Sequence, residues 1–287
     1  MRRYRTLRDL LFGEHPLRAI AEHRKLLSLF RSRQIRPLLR IFPGLTQKYF
    51  GGYLARSFDK TARRDSLLHH YRFFQRCAPA EFYTGILQGQ AVLWRRDILD
   101  NHFDICLSFN RRFHYEGDLS LVFRNEGASA FEISFTVVPG HLVGVAVPDV
   151  LLVSRVQGTA RLPQIRNAAK MCHEVAPPYL LMTALEAIAT ALAIPVIMGV
   201  SVANQIAKEG GGAEHLFDYD AFWRVLLAED MGNGFFRLPV PLPHKPLEQV
   251  SATHRRRARA KRAFKAEVRA AVETAFRDSV LARFRCQ

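Results

Sequence analysis

The feature that most constrains the fold is a series of short β-rich segments in residues 90–158. Residues 131–137 alternate between apolar and polar side chains, and a period of two predicts a half-buried antiparallel strand. Turns that contain Gly117, Gly127 and Gly140 separate neighbouring segments, which favours a meander. The sequence therefore predicts four or five consecutive antiparallel strands in this region.

Helical patterns flank these strands on both sides. Before the strands, apolar residues recur every three or four positions among Arg and Lys, which predicts a basic helical lobe in residues 1–85. This lobe includes a predicted helix over residues 49–74. After the strands, similar spacing predicts helices over residues 162–175 and 177–192, and Pro177 suits the first turn of the second helix.

Residues 187–203 contain no charged side chain. Seventeen residues are short for a membrane span, and Pro195 divides them into two parts. We predict the end of a buried helix followed by a buried strand over residues 195–201, with a membrane helix as the alternative. Because a helix would join this strand to the preceding one, the two strands should be parallel.

Together these patterns predict an α+β protein with a mixed, mostly antiparallel sheet. Residues 1–85 should form the helical lobe, residues 86–250 a mixed α/β core domain, and residues 251–287 a basic C-terminal helix. Residues 235–240 predict a strand at the edge of the sheet. The 287-residue chain is 48% hydrophobic, which is enough to bury a full core.

The cysteines and the N-terminal segment predict a cytoplasmic location. The four cysteines are far apart and lack CxxC spacing, which indicates reduced thiols and neither disulfides nor a zinc site. The first apolar stretch is short and is interrupted by Arg8, Asp9 and Glu14, unlike a secretory signal. Peripheral attachment to the inner membrane is an extension of this expectation.

The chain is basic, with a formal net charge of +16, and residues 255–265 carry seven positive charges and no negative one. Such a block can be a solvated helix face, or it can bind anionic lipid or nucleic acid. Nucleic acid is the least favoured partner, because the block lacks a reader motif and stacking aromatics other than Phe264. The expected anion patch comprises Arg255, Arg256, Arg257, Arg259, Lys261 and Arg262.

Several short motifs occur in a defined order: Phe113-His114-Tyr115-Glu116-Gly117, Gln157-Gly158, Gly199-Val200-Ser201, Tyr219-Asp220-Ala221-Phe222-Trp223 and His254-Arg255-Arg256-Arg257. With this set the chain resembles the VirK/YbjX-like family of bacterial proteins, over most of its length from about residue 45. The resemblance implies a role in envelope stress, resistance to cationic antimicrobial peptides and virulence. It does not imply a reaction.

Antiparallel strands that lead into a strand, a helix and another strand also resemble the core of the acyl-CoA N-acyltransferase fold. This resemblance implies that the N-terminus of the helix receives the pyrophosphate of an acyl-CoA cofactor. Gln157 and Gly158 are partly similar to the glycine-containing loop before that helix, and Arg155 and Arg161 are the expected assisting cations. The alternative is a tight turn with solvated arginines.

His114 and Glu116 are the candidate catalytic pair. On a strand, residues two apart point to the same side, so these side chains could act as a base and its orienting partner. A metal site that also uses His141 and His173 is a weaker alternative, and we assign no metal. In the purely structural interpretation, His114 closes a turn and Glu116 pairs with Arg111 or Arg112.

Tyr219 and Trp223 lie at helical spacing after Asp218, a plausible helix cap. Aromatics at this spacing are usually core anchors, and a ligand-stacking platform is the alternative.

The sequence leaves two functions open. One is a bacterial envelope or lipopolysaccharide maintenance protein with acyltransferase-like activity on a small molecule or lipid, and the other is a non-catalytic protein that recruits anionic lipid or a partner.

Overall fold

A computed structural model of the protein describes residues 16–89, 91–98, 100–110, 114–160, 162–206 and 217–281. The helices are α1 (Pro16–Phe30), α2 (Arg36–Ile41), α3 (Lys60–Cys77), α4 (Phe82–Gly89), α5 (Leu162–Met171), α6 (Pro177–Ala191), α7 (Tyr219–Val225) and α8 (Ala252–Ala275). The strands are β1 (Ala91–Ile98), β2 (Asn101–Phe109), β3 (Leu119–Asn125), β4 (Ala128–Pro139), β5 (Asp149–Gly158), β6 (Val196–Val200), β7 (Glu229–Asp230) and β8 (Phe235–Pro239).

In the described part of the chain, these strands form one sheet in the order β1-β2-β3-β4-β5-β6-β8-β7. Strands β1 to β5 are an antiparallel meander, as the alternating segments predict. Strand β6 pairs in parallel with β5 after the helical connection through α5 and α6. The predicted α+β class and the mixed, mostly antiparallel sheet are therefore confirmed.

The uncharged segment also folds as predicted. Helix α6 ends at Ala191, and the fully buried strand β6 begins at Val196, so Pro195 separates a buried helix from a buried strand. Within the described ranges, no helix combines the length and the apolar character that crossing a membrane requires.

Three predictions about individual elements are wrong. The helix predicted over residues 49–74 begins at Lys60, because the Asp59 carboxylate caps it by accepting from the amide of Ala62. The segment predicted as an edge strand is interior, since a turn with Gly232 and Gly234 at positive φ folds β7 back outside β8. The strand predicted to be half-buried over residues 131–137 is part of β4, which is buried on both faces there because α3 and α6 both pack against it.

One apolar cluster joins the parts of the chain. It includes Tyr71 of α3, Phe135 of β4, Ile188 of α6 and Val268 of α8. Helix α8 contributes Phe264, Val268 and Val272 at four-residue spacing, and this stripe packs α8 against α6 and β1. The basic side chains of α8 therefore lie on its remaining faces.

Candidate functional site

The candidate site lies where β5 separates from its neighbours. The parallel pair spans only Leu151 to Val153 on β5, although β5 continues to Gly158. On the other side β5 is bulged, because Val153 and Arg155 pair with adjacent residues of β4 and Ser154 between them has no partner. We call the space beside this separation the β5 notch and define it by Glu116, Ser154, Arg155, Gln205 and Tyr219.

Tyr219, the first residue of α7, occupies the notch. Its hydroxyl oxygen accepts from the backbone amide of Val156 at 2.9 Å and from Nε2 of Gln205 at 2.8 Å. The hydroxyl therefore replaces the strand pairing that β5 lacks there. Burial raises the pKa of Tyr219, and the nearby Glu116 carboxylate raises it further. The hydroxyl keeps its proton and could donate it to an anion that forms in the notch.

Trp223 holds α7 against β6 at the same place. Its indole Nε1 donates to the carbonyl oxygen of Val200 at 2.8 Å. A Cβ atom on Gly199 would lie 2.2 Å from the indole ring, so only glycine permits this close approach. Tyr219 and Trp223 are at most 1% exposed, which agrees with their interpretation as core anchors. The ligand-stacking role is not supported, because neither ring presents a free face to solvent.

Arg155 and Glu116 meet in the notch, which the sequence did not predict. Arg155 Nε lies 3.1 Å from Glu116 Oε2, and Arg155 Nη1 lies 3.2 Å from Glu132 Oε2 on β4. Arg155 is 4% exposed and Glu116 6% exposed, so Arg155 is not the solvated cation expected from the tight-turn interpretation. Among the described residues, these two carboxylates face the one guanidinium of Arg155, so the ion pairs that they form carry a net negative charge.

The Glu116 carboxyl is buried, and its pKa is raised. Burial raises the pKa of its carboxyl, Arg155 lowers it, and Glu132 raises it again. Among the described residues, its Oε1 atom has no hydrogen-bond partner. Glu132, in contrast, accepts from Ser120 Oγ at 2.7 Å and is fixed in place. The free Oε1 atom is the one that a substrate could use.

Asp118, two residues after Glu116, anchors this loop in a fully buried network. Its carboxylate accepts from Lys48 at 2.7 Å, Tyr71 at 3.0 Å, Thr136 at 2.9 Å and from the hydroxyl of Tyr53. Burial raises the pKa of Asp118, but the Lys48 charge and these hydrogen bonds outweigh burial and lower it to about 2. The helical lobe thus supplies the cation that holds the loop on the sheet.

The backbone of the loop is fixed from both sides. Gly117 has a φ of 143°, and a Cβ atom there would lie 2.9 Å from the backbone nitrogen of Phe135. Ser154 Oγ donates to the carbonyl oxygen of Glu116 at 2.6 Å, and the amide of Leu54 donates to the carbonyl oxygen of Tyr115 at 2.9 Å. These contacts set the position of the Glu116 side chain.

The prediction that His114 and Glu116 share one side of a strand is wrong. Residues His114–Glu116 form a single 3-10 turn, and Gly117 follows it with a φ of 143°, outside the φ range of a regular strand. The side chain of His114 lies outside the described part of the molecule, as does the whole of Arg161. Of the candidate catalytic pair, the structure thus places only the Glu116 carboxylate in the notch.

The Gln157-Gly158 turn differs from an open anion loop. Gln157 pairs with β4, and Gly158 packs closely, since an added Cβ atom would lie 3.0 Å from Ile165. The amides of Thr159 and Ala160 donate to the carbonyl oxygen of Ala130 and are therefore already used. Gln157 and Gly158 shape the entry to α5, and they leave these two amides unavailable to a pyrophosphate.

The predicted anion patch lies on α8 and is partly paired. Arg257 lies 3.0 Å and Lys261 3.6 Å from Glu174, while Arg255 Nε donates to the carbonyl oxygen of Val250 at 3.0 Å. Arg256 and Arg259 are exposed, and Arg262 donates to the carbonyl oxygen of Lys245. No group of three His, Cys, Asp or Glu side chains placed to hold a metal ion occurs in the described ranges.

Comparisons with known proteins give a family and a relative. The family model described as "Protein of unknown function (DUF535)" matches residues 8–274. The uncharacterized protein YbjX of Escherichia coli (strain K12) is 27% identical over 229 residues, which cover 76% of this chain and 68% of that relative. No solved structure gives a significant match.

Proposed function

The chain belongs to the DUF535 family. We propose that this protein transfers an acyl group from an acyl-CoA thioester to an amine at the β5 notch. The match to YbjX agrees with the resemblance to VirK/YbjX-like bacterial proteins. Envelope or lipopolysaccharide maintenance, with resistance to cationic antimicrobial peptides, is proposed as the setting of this reaction on that resemblance alone.

The separation of β5 from β6 after Val153 is the observation that carries the proposal. It follows an antiparallel meander and a helical connection, the arrangement that resembles the acyl-CoA N-acyltransferase core. The pantetheine arm of coenzyme A is extended and contains amide groups, so it could pair with the free edge of β5 as an added strand does. For the pantetheine arm to pair there, the hydrogen bond from the amide of Val156 to the Tyr219 hydroxyl must first break.

The charges of the notch suit an amine acceptor. The excess carboxylate at Glu116, Arg155 and Glu132 attracts an ammonium group. The ammonium first releases one proton to solvent. Glu116 Oε1 then accepts a second proton from the resulting amine nitrogen as that nitrogen attacks the thioester carbon, and the raised pKa of Glu116 makes it a stronger base. The carbon–sulfur bond breaks, the departing thiolate takes the proton of the Tyr219 hydroxyl, and protonated Glu116 returns its proton to the Tyr219 oxygen.

Isothermal titration with acetyl-CoA and a long-chain acyl-CoA tests binding, and mass spectrometry of a supplied amine tests transfer. Glu116→Gln should lower turnover by about 10²- to 10⁴-fold with little change in acyl-CoA affinity. Glu132→Gln is the comparison for the base, because it removes a carboxylate from the same arginine but one that Ser120 already binds; it should weaken binding of the amine without the loss of turnover expected of Glu116→Gln. Failure of both thioesters to bind the folded protein at millimolar concentration would reject acyl transfer.

The second candidate function is non-catalytic recruitment of anionic lipid or a partner protein. A specific observation favours it, since Glu116, Arg155 and Tyr219 are each less than one-tenth exposed and fill the notch. Arg256 and Arg259, in contrast, are exposed on α8 and free to meet an anionic surface. Flotation with anionic and neutral vesicles separates the two candidates, because recruitment requires anionic binding that weakens with salt and needs no coenzyme A.

A further inference from the structure

A groove lies between α6 and α8, away from the β5 notch. Its volume is about 490 Å³, within the range of roughly 300–1,000 Å³ that is typical of small-molecule sites. The end of α7 and residues 242–245 close its remaining sides, and none of the residues that line it belongs to the notch. We call it the basic groove.

One wall of the basic groove is apolar. Tyr179, Leu226 and Leu242 line it, and the neighbouring Val225 and Leu227 are 63% and 52% exposed. Large apolar side chains this exposed, and contiguous with a cavity, mark a surface suited to an apolar ligand. Leu227 also has a φ of 61°, a conformation that leucine rarely adopts.

The other wall is cationic. Lys261, Arg262, Lys265 and Arg269 line the groove from α8, and both Lys261 and Arg262 lie three or four residues before Lys265, which itself lies four residues before Arg269, so they share one helix face. Lys245 adds a fifth cation, against two lining carboxylates, and the groove carries a net positive charge. On a merely solvated helix these side chains would diverge into water, whereas here they converge on one cavity.

The lining carboxylates neutralise only part of this wall. Glu186 is engaged by Arg269 at 3.2 Å and by the amide of Leu242 at 3.0 Å, while Glu174 is engaged by Arg257 and Lys261. In the part of the chain that the structure describes, Lys265 has no carboxylate within ion-pair distance.

The ammonium of Lys265 instead lies 5.8 Å above the centre of the Tyr179 ring, between the two walls. Burial lowers the pKa of Lys265, which Glu186 raises and Lys261 lowers again, so an incoming anion would favour its charged form. The ammonium is therefore the natural partner for an anionic group that enters the groove.

We propose that the basic groove binds a single-chain anionic amphiphile, with its acyl chain on the apolar wall and a phosphate headgroup between Lys261 and Lys265. The convergent cations match a phosphate, and the exposed apolar side chains match a hydrocarbon chain. A cavity of this size holds one small molecule, so the ligand is a monomer and not a bilayer surface. The site is independent of acyl transfer at the notch.

Binding of fluorescently labelled lysophosphatidic acid to the full chain, below the concentration at which it forms micelles and without coenzyme A, tests this proposal. Lysophosphatidylcholine supplies the chain with a zwitterionic headgroup, and glycerol 3-phosphate supplies the headgroup without the chain. Lysophosphatidic acid should bind more tightly than either, with an affinity that falls as salt rises.

Three variants locate the site. Lys261→Gln combined with Lys265→Gln should weaken binding by about 30-fold, whereas Arg256→Gln combined with Arg259→Gln removes equal charge outside the groove and should change it less than about twofold. In Leu227→Asn the asparagine tolerates the positive φ, so the fold should stay stable. This variant should bind lysophosphatidic acid more weakly and should bind glycerol 3-phosphate as the wild type does. The groove proposal would be overturned if both double variants lost the same affinity for lysophosphatidic acid. It would also be overturned if the protein bound anionic vesicles but not monomeric lysophosphatidic acid.

Discussion

Replacement of Lys48 with Met should destabilise the protein by about 3 kcal/mol. Lys48 Nζ lies 2.7 Å from Asp118 Oδ1, and both side chains are 0% exposed. Removal of one partner of a buried ion pair leaves an uncompensated charge, at a cost of about 3–5 kcal/mol. Burial lowers the pKa of Lys48 more than Asp118 raises it, so methionine recovers part of the cost and the loss should lie near the lower bound.

The pKa of Asp118 gives a second measure of this interaction. A shift from 3.8 to about 2 corresponds to roughly 2 kcal/mol. Because the pKa is lowered in the folded state, this stability is fully present above about pH 3.8 and is lost as the pH falls through about 2. Without the ammonium of Lys48, burial raises the pKa of Asp118, so acid protonates the uncompensated carboxylate and the stability difference between the variant and the wild type should shrink as the pH falls.

Urea unfolding at pH 7, followed by circular dichroism, measures the difference when both proteins share the same denaturant dependence. Lys25→Met is the matched control, because Lys25 also lies 2.7 Å from a carboxylate, that of Glu22, but is 56% exposed. An exposed pair contributes about 0–1 kcal/mol. If the Lys48 and Lys25 variants lose equal stability, burial does not strengthen the Lys48–Asp118 interaction and the reasoning fails.

Three further predictions concern other buried contacts. Burial lowers the pKa of His70 from 6.5 to about 4, so the stability from its neutral form should be present above pH 6.5 and should fall by roughly 3 kcal/mol as the pH falls to 4. In His70→Gln, the midpoint of urea unfolding should therefore depend less on pH over this range. Gly199→Ala should cost about 1–3 kcal/mol through overlap with Trp223, while Gly44→Ala, which meets no atom within 4 Å, should leave the melting temperature unchanged. Tyr219→Phe should cost about 1–3 kcal/mol in urea unfolding, because the amide of Val156 loses its acceptor, and an unchanged midpoint would show that water replaces it.

The sequence predicted much of the fold because the signals involved are local. The alternation over residues 131–137 was enough to predict a strand. Pro195 was enough to predict where a helix ends and a buried strand begins. Asp218 was identified as a helix cap, and its carboxylate accepts from the amide of Ala221 at 2.9 Å. Each of these features depends on a side chain and the backbone within a few residues of it.

The partners within the site were decided by the tertiary structure. Lys48 and Asp118 are 70 residues apart, and a lysine carries no local sign that it will be buried, since lysines almost never are unless paired. Glu116 and Arg155 were both singled out, but for separate roles. Their contact exists because the bulge in β5 and the turn at Gly117 bring two distant segments together. Register, bulges and the packing of helices on the sheet set such distances, and no spacing along the chain encodes them.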